Sequence, residues 1–247
     1  MNTNYQLSVD TGRLAIENGT ANPKWFRPDV DPHNIRNLMQ KSDAIAIRDT
    51  AIWLGMMIVS AGCAVAFWPS VWSVPFWLVY GVLYGSAADS RWHECGHKTA
   101  FKTTWMNNAV YQLASFMIMR NPAIWQASHV RHHTDTIIVG RDPEIVAMRP
   151  PDLARIALAF VGVVDVYIAF KRMILHASGR IDPEEATYVA AKDHAKVFRV
   201  ARIWLFIYGC TIAAAVLMTS LLPLMLIGFP RLYGAWHHVL TGLLQHV

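Results

Sequence analysis

The chain has 247 residues, 54% of them hydrophobic and only 16% charged, with a mean hydropathy of +0.26 and a formal net charge of +5. Soluble domains carry roughly 25% charged residues, so this composition excludes a disordered chain and an ordinary cytosolic domain. The basic balance would suit nucleic acid, but the placement of the charges ties it to a membrane.

Residues 1–50 mix polar and apolar side chains with Pro23, Pro28 and Pro32 and are expected to form an irregular cytoplasmic lead-in. No secretory signal is expected ahead of the first apolar run, which opens at Ala51. From there to the C-terminus, residues 51–247 read as one membrane domain.

Ala51 to Ala88 holds no Asp, Glu, Lys or Arg across 38 residues. A bilayer core of about 30 Å takes roughly 20 apolar residues as a helix, so this run suits two spans turning at Pro69-Ser70. Ile156 to Phe170 is apolar apart from Asp165 and is expected to lie in the interface as an amphipathic helix. Ile203 to Pro230 is a second uncharged run of 28 residues, broken at Pro223. It reads as one span ending near Ser220 and another starting near Leu221 and running past Arg231. Of the 22 Lys and Arg, six lie in residues 1–50, eight between Asp89 and Arg155, and seven between Lys171 and Arg202. With four spans in two hairpins, all three basic blocks and both termini face the cytoplasm. The expected fold is an all-α integral membrane protein with a cytoplasmic helical cap.

The chain carries 11 His, and five of them fall between His93 and His133. His93-Glu94-Cys95-Gly96-His97 places two imidazoles at i and i+4. His129-Val130-Arg131-His132-His133 places three at i, i+3 and i+4, and residues so spaced share one face of a helix. Asn121 is a fitting N-cap and Pro122 a fitting first helical residue for the second group. Neutral imidazole suits Zn, Fe, Cu or Ni, so two such patches can enclose metal. Asp89, Asp135 and Asp142 are candidates to orient the rings. His33, His176 and His194 read as ordinary interfacial residues. Cys63, Cys95 and Cys210 are isolated, with no disulfide or zinc-ribbon spacing.

Two other readings compete on the residues alone. His93-Glu94-x-x-His97 matches the zinc metalloprotease pattern with Glu94 as base and Asp142 as a third ligand, but it gives His129, His132 and His133 no role. A carboxylate-bridged di-iron bundle needs a second Glu-x-x-His, and none of Glu17, Glu144, Glu184 and Glu185 supplies one.

At these residues the sequence resembles the membrane fatty acid desaturase and hydroxylase superfamily. His93-Glu94-Cys95-Gly96-His97-Lys98-Thr99-Ala100-Phe101 is similar to its first histidine box, and His129-Val130-Arg131-His132-His133-Thr134 to its second. The resemblance implies a four-span bundle capped by a di-iron site, with His93, His97, His129, His132 and His133 as ligands. His246, after Gln245, looks like a further ligand of the family; His237 and His238 are weaker candidates. The family also has a third box, and the chain stops at Val247 before one, so a C-terminally incomplete chain is expected. The implied activity is O2-dependent desaturation or hydroxylation of an acyl chain in lipid metabolism, with two Fe ions and O2 as co-substrate. The implied partners are a lipid bilayer, in a bacterial inner membrane, and an electron donor such as a ferredoxin or b-type cytochrome, with no nucleic acid. The segment Ile137–Ile145 resembles a bacterial branch acting on smaller, non-lipid substrates. The alternatives are an intramembrane zinc protease or an inactive truncated remnant.

Overall fold

A computed structural model describes residues 7–21, 28–85, 87, 91–145 and 149–245. Among them the structure is helical. Residues 1–50 carry two short helices, α1 (Val9–Glu17) and α2 (Pro32–Leu38), and the first turns of α3 (Asp43–Ala66). Ser8 starts α1 with a reciprocal cap to Thr11, and Asp31 accepts from the His33 N–H to start α2.

The remaining helices follow as α4 (Val74–Gly85), α5 (His93–Gly96), α6 (Thr104–Met117), α7 (Pro122–Asp135), α8 (Leu153–Phe160), α9 (Val163–Ala177), α10 (His194–Leu217), α11 (Leu222–Leu226), α12 (Pro230–Tyr233) and α13 (Ala235–Gln245).

Two helical stretches are long and apolar enough to cross a membrane, Pro32–Ala66 and Ala191–Leu217. At 24 residues each, α3 and α10 extend about 36 Å. Their outer faces stay uncovered: Ile58 and Val59 on α3, and Phe206, Val216 and Leu217 on α10, are exposed. An apolar surface of that kind has its physical account in a bilayer.

The expected partners of these two spans are shorter. The turn at Trp68 to Ser70 does fold α4 back against α3, with the Trp53 indole N–H donating to the Leu83 carbonyl at 2.9 Å. Yet α4 has 12 residues, about 18 Å. The run after Ser220 divides into α11, α12 and α13, because Pro223 and Pro230 lack the N–H a helix interior needs. The apolar stretch around Ile156–Phe170 is a bent pair, α8 and α9 meeting at 80°. Gly162 makes the bend with φ +66, and any Cβ there would strike the Arg231 carbonyl oxygen. If the bent pair crosses as one span, the candidate spans number three.

The main core lies where α3, α4, α6 and α7 meet, around Trp53, Trp77, Tyr84, Trp92, Tyr111 and Trp125. A smaller one joins α9 and α10 through Met173, Trp204 and Tyr208. The histidine-bearing helices α5 and α7 stand on this framework.

Candidate metal centre

The first histidine group sits on one helical turn. Thr99 N–H bonds back to the Glu94 carbonyl at 2.9 Å, and Lys98 takes φ 59, which ends α5 at once. The Lys98 carbonyl then accepts from Lys41 Nζ at 2.7 Å, which ties the lead-in to this turn. The second group rides on α7, whose start is as the sequence predicts. Asn121 caps it by accepting from the Ala123 N–H at 3.1 Å, and Pro122 fills the first turn.

Three buried anchors hold α5, α6 and α7 together. Trp92 Nε1 donates to Ser115 Oγ at 3.0 Å, and Tyr111 Oη donates to the Pro122 carbonyl at 2.7 Å. Trp125 lies under the histidines, stacked on His129 with ring centroids 4.3 Å apart and planes 20° apart. Gly96 leaves room for that indole, since a Cβ there would collide with the Trp125 ring.

On this floor His93, His97, His129 and His133 bring one nitrogen each within 4.8 Å of all the others, a group able to hold a metal ion. The Nε2 atoms of His97 and His129 are 3.0 Å apart, those of His129 and His133 3.0 Å, and those of His97 and His133 3.4 Å. Metal–nitrogen bonds of about 2.0–2.1 Å place neighbouring ligand atoms about 3.0 to 3.4 Å apart, so these spacings match the ligand shell of one ion.

Carboxylates fix the ring tautomers. His129 Nδ1 donates to Glu144 Oε2 at 2.7 Å, and Ser128 Oγ donates to the other oxygen of Glu144 at 2.7 Å. With Nδ1 protonated, the His129 Nε2 lone pair faces the cluster. His132 Nδ1 meets Asp142 Oδ1 at 2.9 Å, and Asp142 also accepts from the Ile137 and Glu144 N–H groups. Such carboxylate–imidazole pairs orient metal ligands and raise their basicity.

Electrostatics favour uncharged rings. Burial, and then the fields of His129 and His97, lower the His93 pKa to about 4. Burial and the neighbouring imidazoles lower His97 and His133 in the same way. Burial alone would raise the Glu144 carboxyl, but hydrogen bonds from His129 and Ser128 hold it below its ordinary value. Neutral imidazoles beside a carboxylate form a donor set ready for a divalent cation.

The histidines also wall a cavity of about 630 Å³, within the roughly 300–1,000 Å³ usual for ligand pockets. His93, His129, Trp92 and Trp125 form one side, and α8, α9 and α13 face them.

Residues 69–247 match the family model described as "Fatty acid desaturase". The chain belongs to the fatty acid desaturase family. Two relatives come from Punica granatum. A bifunctional fatty acid conjugase/Delta(12)-oleate desaturase is 30% identical over 49% of this chain and 31% of its own length. A Delta(12)-acyl-lipid-desaturase is 25% identical over 49% of this chain and 32% of its own. An omega-6 fatty acid desaturase, endoplasmic reticulum isozyme 1, from Glycine max is 32% identical over 33% of this chain and 22% of its own. The chain thus spans about a third or less of the desaturases it matches. No solved structure matches it.

Of the histidines singled out in the sequence, four converge and His132 stands beside them on Asp142. His238 reaches the cavity wall, and His246 lies outside the described residues. Asp142 has the expected orienting position. Asp135 instead pairs with Arg141 at 3.3 Å and Arg131 at 3.7 Å, and Asp89 is outside the described residues. Two features escaped the sequence reading. Glu144 follows Asp142 by two residues, and that short carboxylate pair after the second box was its only signal. His176, read as interfacial, is 3% exposed and bonded to the equally buried Glu185 at 2.6 Å.

Proposed function

We propose that this desaturase-family chain carries the histidine-ligated di-iron site of an O2-dependent enzyme that removes two hydrogens from an acyl chain, or hydroxylates it. The observation that carries this reading is the convergence of His93, His97, His129 and His133 on one point beside a cavity. The first ion is assigned to these four, and the second draws on His132 together with His246. The iron pair supplies O2 activation toward an unactivated C–H bond. Desaturation balances as a –CH2–CH2– unit, O2, two electrons and two protons giving –CH=CH– and two waters. The electrons come from a carrier such as a ferredoxin or b-type cytochrome.

The chain's own groups then have defined tasks. Glu144 and Asp142 hold the protons on His129 Nδ1 and His132 Nδ1, keeping Nε2 available. Trp125 and Trp92 cover the inner side of the cluster with apolar surface. The bilayer receives the apolar faces of α3 and α10. The site and both termini are assigned to the cytoplasmic side of the membrane, and the bacterial inner membrane is the proposed location.

A zinc protease fits less well. Its general base would be Glu94, which is half exposed and faces Arg91 at 3.7 Å, while Asp142 is engaged with His132. Metal analysis of the chain purified in neutral detergent tests the proposal. Iron in excess of zinc is expected, with the second ion lost on His132→Ala and the first on His129→Ala. Zinc alone, unaffected by His132→Ala, would overturn it.

A further inference from the structure

Arg231 is the one Lys or Arg of the 22 that falls outside the three basic blocks, and it is 4% exposed. It sits on α12, which close glycine contacts fix in place. A Cβ at Gly234 would strike the Gly81 carbonyl, and a Cβ at Gly162 would strike that of Arg231. Its side chain lines the cavity shared with His93 and His129. Its Nη1 has no hydrogen-bond partner among the described residues.

Burying a guanidinium nitrogen without a partner is costly, so a built position of this kind calls for an anion. Arg120, Asp165, Tyr84 and Tyr208 are among the ionisable groups whose fields reach Arg231. Tyr84 and Tyr208 are each 4% exposed, and neither phenol has a hydrogen-bond partner among the described residues. Two phenol hydroxyls and a guanidinium nitrogen, all buried, therefore lack a partner among the described residues, and of these three residues Arg231 lines the cavity. Asp165 supplies negative charge to Arg231 and Arg120 a second cation, and both line the same cavity.

We propose that Arg231 binds the carboxylate head of the substrate inside the cavity, with the chain extending from there toward His93 and His129. A singly charged carboxylate suits the site better than a phosphate dianion, because Asp165 already offsets part of the positive charge. The inference rests on the desaturase reading for calling this ligand a substrate. It implies that the enzyme takes a free acid and sets the oxidised carbon by its distance from the carboxyl end.

The test is binding of octanoate, methyl octanoate and octyl phosphate to the full chain in neutral detergent. It is followed through the tryptophan fluorescence of Trp92, Trp125 and Trp204, which line the cavity. A charge-assisted hydrogen bond predicts that wild type binds the acid about ten-fold or more tightly than the ester. Arg231→Gln should bring that ratio close to one, and the exposed-site control Arg199→Gln should leave it unchanged. Equal binding of acid and ester by wild type would overturn the proposal, the cavity then holding only water at Arg231. So would an acid preference that survives in folded Arg231→Gln, or octyl phosphate binding more tightly than octanoate. If Arg231→Gln does not fold, the wild-type comparison still decides. These measurements need neither iron nor an electron donor. An acid-selective chain without iron would retain the anion site and sink the di-iron function, whereas iron without selectivity would do the reverse.

Discussion

The hydrogen bond from His129 to Glu144 offers the sharpest perturbation of the metal centre. At 2.7 Å, with side chains 6% and 16% exposed, it is short, charge-assisted and nearly dry. Bonds of this class contribute about 1.5–3 kcal/mol, which corresponds to roughly ten- to hundred-fold in affinity. Glu144→Gln keeps the shape but leaves one acceptor where two were used. The amide oxygen can face His129 with its NH2 toward Ser128, which retains the tautomer and removes the charge. If it turns the other way, the proton moves to His129 Nε2 and the ligand is lost. Either way, metal affinity should fall about ten- to hundred-fold, as loss of an orienting carboxylate generally produces. Titration of the metal-stripped protein with Co(II), followed by visible absorption, measures this directly. Glu94→Gln is the matched control, because Glu94 pairs with Arg91 at 3.7 Å and is 49% exposed. It should change affinity less than two-fold. Wild-type affinity in Glu144→Gln, or a larger loss in Glu94→Gln, would refute the assignment of Glu144 to His129.

Other consequences follow from the packing and charge around the same helices. Gly96→Ala forces a methyl group into the Trp125 ring, and overpacking of this kind costs about 1–3 kcal/mol. A lowered melting temperature with altered Trp125 fluorescence is expected, and an unchanged melt would show that the indole can step aside. Ser115→Ala leaves the buried Trp92 N–H without its 3.0 Å acceptor, at a cost of about 1–3 kcal/mol; thermal unfolding in detergent reads it, and no loss would count against the anchor. The pH dependence of the metal-stripped protein has a definite sign. His93 has a folded pKa of about 4 against 6.5 unfolded, so only the unfolded chain takes up that proton as pH falls between these values. Stability should therefore be full above about pH 6.5 and decline toward pH 4, with His97 and His133 acting in the same direction. A melting temperature that stays flat or rises across that window would contradict the burial of neutral imidazoles.

The two histidine groups were legible because helical spacing alone gathers i, i+3 and i+4 side chains, and the Asn121-Pro122 start of α7 is a local signal. The long apolar helices α3 and α10 were legible for a similar reason, since an uncharged run of sufficient length has few other uses. What stayed hidden depends on contacts between distant segments. Trp125 is one more aromatic residue in the sequence; only its stacking on His129, and the space left by Gly96, show it as the floor of the site. Glu144 reaches His129 by a turn of the loop after α7 that no periodicity foretells. His176 looked interfacial because its partner Glu185 lies beyond α9, in a segment with no pattern of its own. The run after Ser220 misled for a local reason, with Pro223, Pro230 and two glycines dividing a uniformly apolar stretch into three short helices.

The nitrogen spacings carry one further consequence for the proposed two-iron site. Separations of 3.0 to 3.4 Å among His97, His129 and His133 fit one ion, and two ions cannot share so small a shell. The proposed second ion must then use His132, whose Nδ1 is clamped by Asp142 at 2.9 and 3.0 Å, with groups beyond the four-histidine cluster. The two ions should accordingly bind in separable steps. Metal titration of wild type is expected to show a tight phase, governed by the four histidines and Glu144, and a weaker phase governed by His132 and Asp142. Asp142→Asn should weaken only the second phase, about ten-fold or more. Glu144→Gln should weaken the first. If Asp142→Asn instead weakened both phases alike, His132 would belong to the same shell as the other four, and the division of ligands between two ions would be wrong.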